Sequence, residues 1–197
     1  MSVPEPSTEP DAPIGVRPAR CAADIVELGC YRGNTQGLER IARLRGLALP
    51  PPGRFVTAAG ELVLSVRPDR WLLMSEPANP GACAADWHQA CAGLGIAIDQ
   101  SSGLCAFHLS GAAAREALAR HCRIDLDPAA FAAGCTAATI MAQVSVIIAA
   151  LPSAMLLLSP STTALHFYEW IVSTSHPFGV APRSQVTVPE VVRSEFS

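Results

Sequence analysis

The chain has 197 residues and a formal net charge of −3, with half of its residues hydrophobic and 16% charged. That is enough for one large or two small domains, with a core that buries roughly 70% of the unfolded surface. So apolar a composition is unusual for a soluble monomer and implies a membrane segment or a large buried interface. All 14 basic residues are Arg. They cluster only at Arg40, Arg43 and Arg45, with no aromatic ladder beside them, which argues against a nucleic-acid surface.

Residues 1–20 carry five prolines and little to bury, and read as a disordered or clinging arm. Rich in proline and acid, this stretch is no secretory leader. Residues 22–31 read as a first strand. Residues 35–47 follow as an amphipathic helix with Leu38, Ile41, Ala42 and Leu44 near helical spacing, stopped by "LPPPG" at 49–53. Strands at 61–67 and 70–74 flank a turn at Pro68 and Asp69, and Trp71 heads the second.

A helix over 81–94 and strands at 96–100 and 104–109 come next. Ser110 is placed to cap a helix running to His121, a role whose loss costs about 0.5–2 kcal/mol. On that helix Glu116 and Arg120 are one turn apart. Residues 128–168 contain no Asp, Glu, Lys or Arg, and "TIMAQVSVIIAALPSAMLLLSP" within them resembles a membrane span. Pro152 and Ser153 split that run, Gln143 and Ser145 interrupt it, and its β-branched residues favour strands, so two strands joined at Pro152 and Ser153 are expected. A helix over 162–174 follows. Residues 180–197 are proline-punctuated, but Val186, Val188, Val191, Val192 and Phe196 let them lie against something as an interface tail.

Helices recurring between strand pairs define an α+β fold: ferredoxin-like antiparallel sheet units with helices packed on one face. One body over 21–179 is expected, with a break between two subdomains near 95–103.

Chemistry is sparse. There is no Gly-x-Ser-x-Gly elbow, Walker loop or dinucleotide fingerprint. Ser101, His108 and Asp99 offer the residue types of a triad, but His108 alternates with Phe107 and Leu109 as an ordinary strand residue. His88 with Cys91, or His121 beside Cys122, supplies at most two metal ligands where zinc takes three or four. The seven cysteines, odd in number, free of Cys-x-x-Cys and set in apolar runs, read as reduced, buried thiols of a cytosolic protein. "GCYRG" at 29–33 is similar to the signature of folate-dependent iron–sulfur cluster maintenance proteins. Leu28 stands where that signature has Lys, and Asn34 and Thr35 stand where it has Gln and Glu, so Cys30 is read as a buried thiol.

The ordered series "GLALPPPG" (46–53), "PDRWLLMS" (68–75), "IDQSSG" (98–103), "FHLSGAAAREALARHCRIDLDPAAFAAG" (107–134) and "HFYEWI" (166–171) resembles the gamma subunit of heterotetrameric sarcosine oxidase, itself related to the folate-binding domains of glycine-cleavage T-protein. The resemblance implies those domains without the T-protein's terminal barrel. It also implies a cytoplasmic, non-catalytic partner mainly of the alpha subunit, alongside beta and delta subunits. FAD, FMN, NAD and tetrahydrofolate would then be held by other subunits and no cofactor by this chain. Family members usually carry an Arg-containing strand where Thr139, Ile140 and Met141 lead into an uncharged turn, which leaves the N-methyl amine open. An alternative is a stand-alone folate-binding aminomethyltransferase-like protein. Against it, no carboxylate lies between Asp127 and Glu169, where T-protein relatives place an acid toward the folate amine. No catalytic, cofactor or metal residue is therefore expected. The structural or interface candidates are Trp71, the knot of Asp99, Gln100, Ser101 and Ser102, and Ser110. For the knot, a hydrogen-bonded crossing between strands and a subunit contact both stand.

Overall fold

The computed structural model describes residues 14–79 and 81–196. Two sheets lie face to face. The smaller has five strands in the order β3-β4-β5-β2-β6: β2 (Asp24–Cys30), β3 (Phe55–Ala58), β4 (Glu61–Arg67), β5 (Arg70–Ser75) and β6 (Gly95–Asp99). The larger has six in the order β11-β1-β7-β10-β9-β8: β1 (Arg17–Ala22), β7 (Leu104–Ser110), β8 (Thr136–Met141), β9 (Val144–Ala150), β10 (Ala154–Pro160) and β11 (Val186–Thr187). All pairings are antiparallel except β1 with β11.

Period-two alternation sends each strand's residues to two different cores. The inner faces meet through Ile25, Leu62, Leu64, Leu72 and Met74 of the small sheet and Ala106, Leu156 and Leu158 of the large one. Outside the small sheet, Val26, Leu28, Val63 and Leu73 receive α1 (Thr35–Leu44) and α2 (Ala82–Ala90) through Leu38, Ala42, Ala84 and Trp87. Outside the large sheet, Phe107, Leu109, Met155 and Leu157 receive α3 (Ala114–Ala119) and α4 (Ala164–Ser175) through Leu118, Phe167 and Ile171. The layers run helix, sheet, sheet, helix, with helices on one face of each sheet. Within the uncharged stretch, β10 is buried on both faces, so almost none of its side chains meets water.

Helix α1 ends three residues before the sequence pattern suggested. Gly46, at φ 77°, donates to the Arg43 carbonyl while Leu47 donates to Ala42 and turns its side chain into the core. That left-handed glycine stop closes the helix. The Pro-rich loop that follows is tied down by Trp71, whose indole N–H donates to the Pro50 carbonyl at 2.9 Å.

Four expectations need correction. Residues 1–13 of the expected arm lie outside the described residues, but Arg17–Ala22 form a strand hydrogen-bonded to β7. The stretch expected as two strands holds three: Ala142 and Gln143, both at positive φ, turn β8 back into β9 before β10 follows. The tail packs on its own chain, for β11 pairs with β1 and α5 (Val188–Phe196) inserts Val188 and Val191 between the sheets. Only Cys21 and Cys91 of the seven free cysteines are buried; the other five are half-buried.

Candidate functional site

The knot is where the chain passes from the small sheet to the large one. Past the Val26–Asp99 pair, the Gln100 amide donates to the Ile25 carbonyl at 2.8 Å. Ser101 Oγ then accepts from the Ile25 amide at 3.0 Å and reaches the Ile25 carbonyl at 3.5 Å. One hydroxyl thus stands in for a missing strand neighbour. Asp99 Oδ1 accepts from the Ser101 amide at 2.9 Å, and bonding to the Ser101 side chain first, then its amide, holds the Asp99 carboxyl below the usual carboxylate range. Gln100 donates to Glu27 at 3.1 Å, and Glu27 also faces Arg70 at 3.6 Å. Ser102 makes no side-chain hydrogen bond among the described residues. Each polar group that bonds here ends on backbone or on a neighbouring side chain, so the arrangement fastens a crossing.

The residue types of a triad are not brought together. Ser101 is bonded to Ile25, whereas His108 faces the core between the sheets beside Glu195. The two side chains are 5% and 4% exposed, with Nε2 3.7 Å from Oε1. Neither ring nitrogen of His108 has a hydrogen-bond partner among the described residues. Glu195 accepts instead from Ser153, at 2.7 Å from its amide and 2.9 Å from its hydroxyl. Burial, the larger influence, lowers the His108 pKa against the opposing pull of Glu195. Sequence reasoning passed over Glu195, yet Val188, Val191 and Glu195 lie at i, i+3 and i+7, the spacing of one inward helix face.

Ser110 does not cap α3. It ends β7, its hydroxyl donates to the Arg17 carbonyl at 3.4 Å, and the helix begins only at Ala114. Gly111 intervenes at φ 109°, where a Cβ would lie 2.3 Å from the Gly15 carbonyl oxygen. This close approach of the segment leading into β1 forces the chain through a glycine before it can coil. Trp71 is a core residue of the small sheet. Cys30 ends β2, with its half-buried thiol 3.2 Å from the Tyr31 carbonyl.

A cavity of about 510 Å³ is bordered by Ser110, Arg115, Pro128 and Ser153 and by no His, Asp or Glu. Arg115 is committed to the Leu126 and Phe131 carbonyls at 2.6 and 2.8 Å. A general acid or base is therefore missing from its wall. Among the described residues no three His, Cys, Asp or Glu side chains gather to hold a metal, and no helix is long and apolar enough to cross a membrane.

These features define a paired-sheet α+β fold whose polar clusters serve the fold. The same architecture occurs in the heterotetrameric sarcosine oxidase from Corynebacterium sp. U-96, solved in complex with pyrrole 2-carboxylate. A chain of that structure superposes with a TM-score of 0.74 at 23% identity, covering 84% of this chain and 86% of its own. Glycine cleavage system aminomethyltransferase T from Bartonella henselae superposes with a TM-score of 0.62 at 13% identity over 86% of this chain. This chain spans 48% of that protein's length. No curated protein sequence matches it. Residues 39–176 match the model of the sarcosine oxidase, gamma subunit family, and the chain belongs to that family.

Proposed function

We infer that the chain is the non-catalytic gamma subunit of a heterotetrameric, flavin-dependent oxidase of sarcosine or a related N-methyl amine. It supports oxidative demethylation by its partners and acts in the cytoplasm. It sits mainly against the alpha subunit, with beta and delta in the same assembly. FAD, FMN, NAD and tetrahydrofolate belong to those subunits. The observation that carries this reading is the family match over residues 39–176. The small, structural character of every polar cluster described above is consistent with it.

The test is a pull-down of the tagged chain from its host grown on sarcosine, with mass spectrometry and a visible spectrum of the eluate. Larger subunits in fixed ratio and a flavin spectrum are expected. A colourless eluate without partners, while the oxidase is demonstrably expressed, would overturn the reading.

A second reading, a folate-binding aminomethyltransferase-like protein, draws on the likeness to aminomethyltransferase T. It meets an obstacle in β8, β9 and β10, whose side chains include no carboxylate to hold a folate amine. Saturable tetrahydrofolate binding by the isolated chain would favour it.

A further inference from the structure

A cavity of about 360 Å³ opens where β1, the segment before β11 and the first turn of α4 meet. Its floor is aromatic: Phe107 and Tyr168 stack with ring centroids 5.7 Å apart. Arg20, Arg183 and Gln185 border it, and no acid does. Neither arginine has an ion-pair partner among the described residues; Arg20 Nη2 makes only a long contact, 3.9 Å, to Cys105 Sγ in the same wall. Glu190 feels the Arg183 charge, but its carboxylate accepts from the Thr187 amide at 2.7 Å and from the Thr187 hydroxyl.

The arginines stand on fixed backbone. Arg20 lies within β1, paired with Phe107, and the Arg183 amide donates to the Pro18 carbonyl at 2.8 Å. The adjoining first turn of α4 adds no acidic residue to oppose them. On the rim Leu165 is 73% exposed.

The geometry points to a docking surface for a polypeptide segment of a partner subunit that carries an Asp or Glu beside an aliphatic or aromatic residue. The carboxylate bridges Arg20 and Arg183, and the apolar neighbour packs on Tyr168 and under Leu165. This inference rests on the accessory-subunit reading and names the surface that reading requires. Two guanidiniums without a carboxylate partner and with no acid in the wall select an anion, and guanidinium pairs with carboxylate in a fixed fork. A polypeptide fits better than a small metabolite for two reasons. The cavity is near the lower bound of small-molecule sites, roughly 300–1,000 Å³, and its rim offers Arg, Tyr and an exposed Leu, side chains suited to a protein contact.

The test uses the full chain and the purified larger subunits of its own oxidase, with affinity read by biolayer interferometry at low and high salt. The double variant R20E/R183E is expected to bind at least about 30-fold more weakly, as loss of close interfacial charge pairs does, and with a flatter salt dependence. R20K/R183K should fall between it and the wild type, and Leu165→Ser should weaken binding with its salt slope unchanged. Thermal melting verifies that each variant is folded. A benzophenone side chain in place of Leu165 should cross-link to a partner peptide containing Asp or Glu.

Wild-type chain that binds the larger subunits while all variants bind equally well would overturn the surface and leave the subunit reading intact. Wild-type chain that binds none of them would remove both. Benzoate that raises the melting temperature of the wild type but not of R20A/R183A, with assembly unaffected by the variants, would replace the peptide by a small organic anion.

Discussion

His108→Leu separates the electrostatic from the packing role of the core between the sheets. In the native protein the imidazole is 95% removed from solvent, with both nitrogens unpartnered and Glu195 at 3.7 Å. Burial, opposed by Glu195 and reinforced by Arg183, sets its pKa below the ordinary 6.5. The unfolded chain therefore binds this proton more readily than the folded one. Stability is full above about pH 6.5 and is lost as pH falls from there through the folded value. At about pH 5.5 an unfolded histidine is stabilised by up to about 1.4 kcal/mol through protonation, which is the upper bound on what the wild type loses through the lowered pKa of the buried ring. Leucine removes this loss. At about pH 7.5 it also ends the unmet hydrogen bonding of the ring, worth about 1–3 kcal/mol, while giving up the contact with Glu195. The variant should then be within about 1 kcal/mol of the wild type or more stable. Urea denaturation followed by tryptophan fluorescence at both pH values measures the difference. Parallel loss of stability in the two proteins between those pH values would refute the reasoning.

Ser101→Ala leaves the Ile25 amide without its acceptor and should cost about 1–3 kcal/mol, seen as a lower melting temperature with turnover of the assembled enzyme unchanged. Ser110→Ala should stay within about 0.5 kcal/mol in chemical denaturation, because the hydroxyl caps no helix; a loss of helix-cap size would contradict the geometry. Leu156→Ala, a deletion in the core between the sheets, should cost about 2–5 kcal/mol by urea unfolding. The double substitution A142N/Q143G supplies residues that accept positive φ at the β8–β9 turn and should raise stability by about 0.5–1 kcal/mol, read from the melting temperature.

The strands of the uncharged stretch were legible because β-branched residues and Pro152 argue against a long helix. A turn after Met141 was also read, but not as a strand-splitting hairpin, since neither Ala142 nor Gln143 advertises positive φ and only the hairpin's tertiary pairing imposes it. Prolines misled at both ends. Pro18 has no N–H to give, yet its carbonyl accepts from Arg183, so a strand tolerates it. Pro189 falls in the first turn of α5, where a missing N–H has no intrahelical partner to lose. At the knot, Asp and Ser in a short crossing announced turn chemistry. What the sequence could not convey was the strand receiving those bonds, because Ile25 is 76 residues from Ser101. A still longer separation along the chain hides Arg20 beside Arg183, which come together only when β1 joins the larger sheet.

The order in which the strands are woven sets an order of assembly. Everything in the small sheet, from Asp24 to Asp99, is one uninterrupted stretch of chain, whereas the large sheet takes β1 from before it and β7 to β11 from after it. As the chain leaves the ribosome, the small sheet with its two helices can close while β1 waits without a neighbour. β7 arrives next, and β11 and α5 complete that edge last. Synthesis halted before residue 186 would thus leave β1 without its β11 neighbour and the gap between the sheets without Val188 and Val191. Residues 186–196 thus act as the closing stitch of a sheet begun with β1.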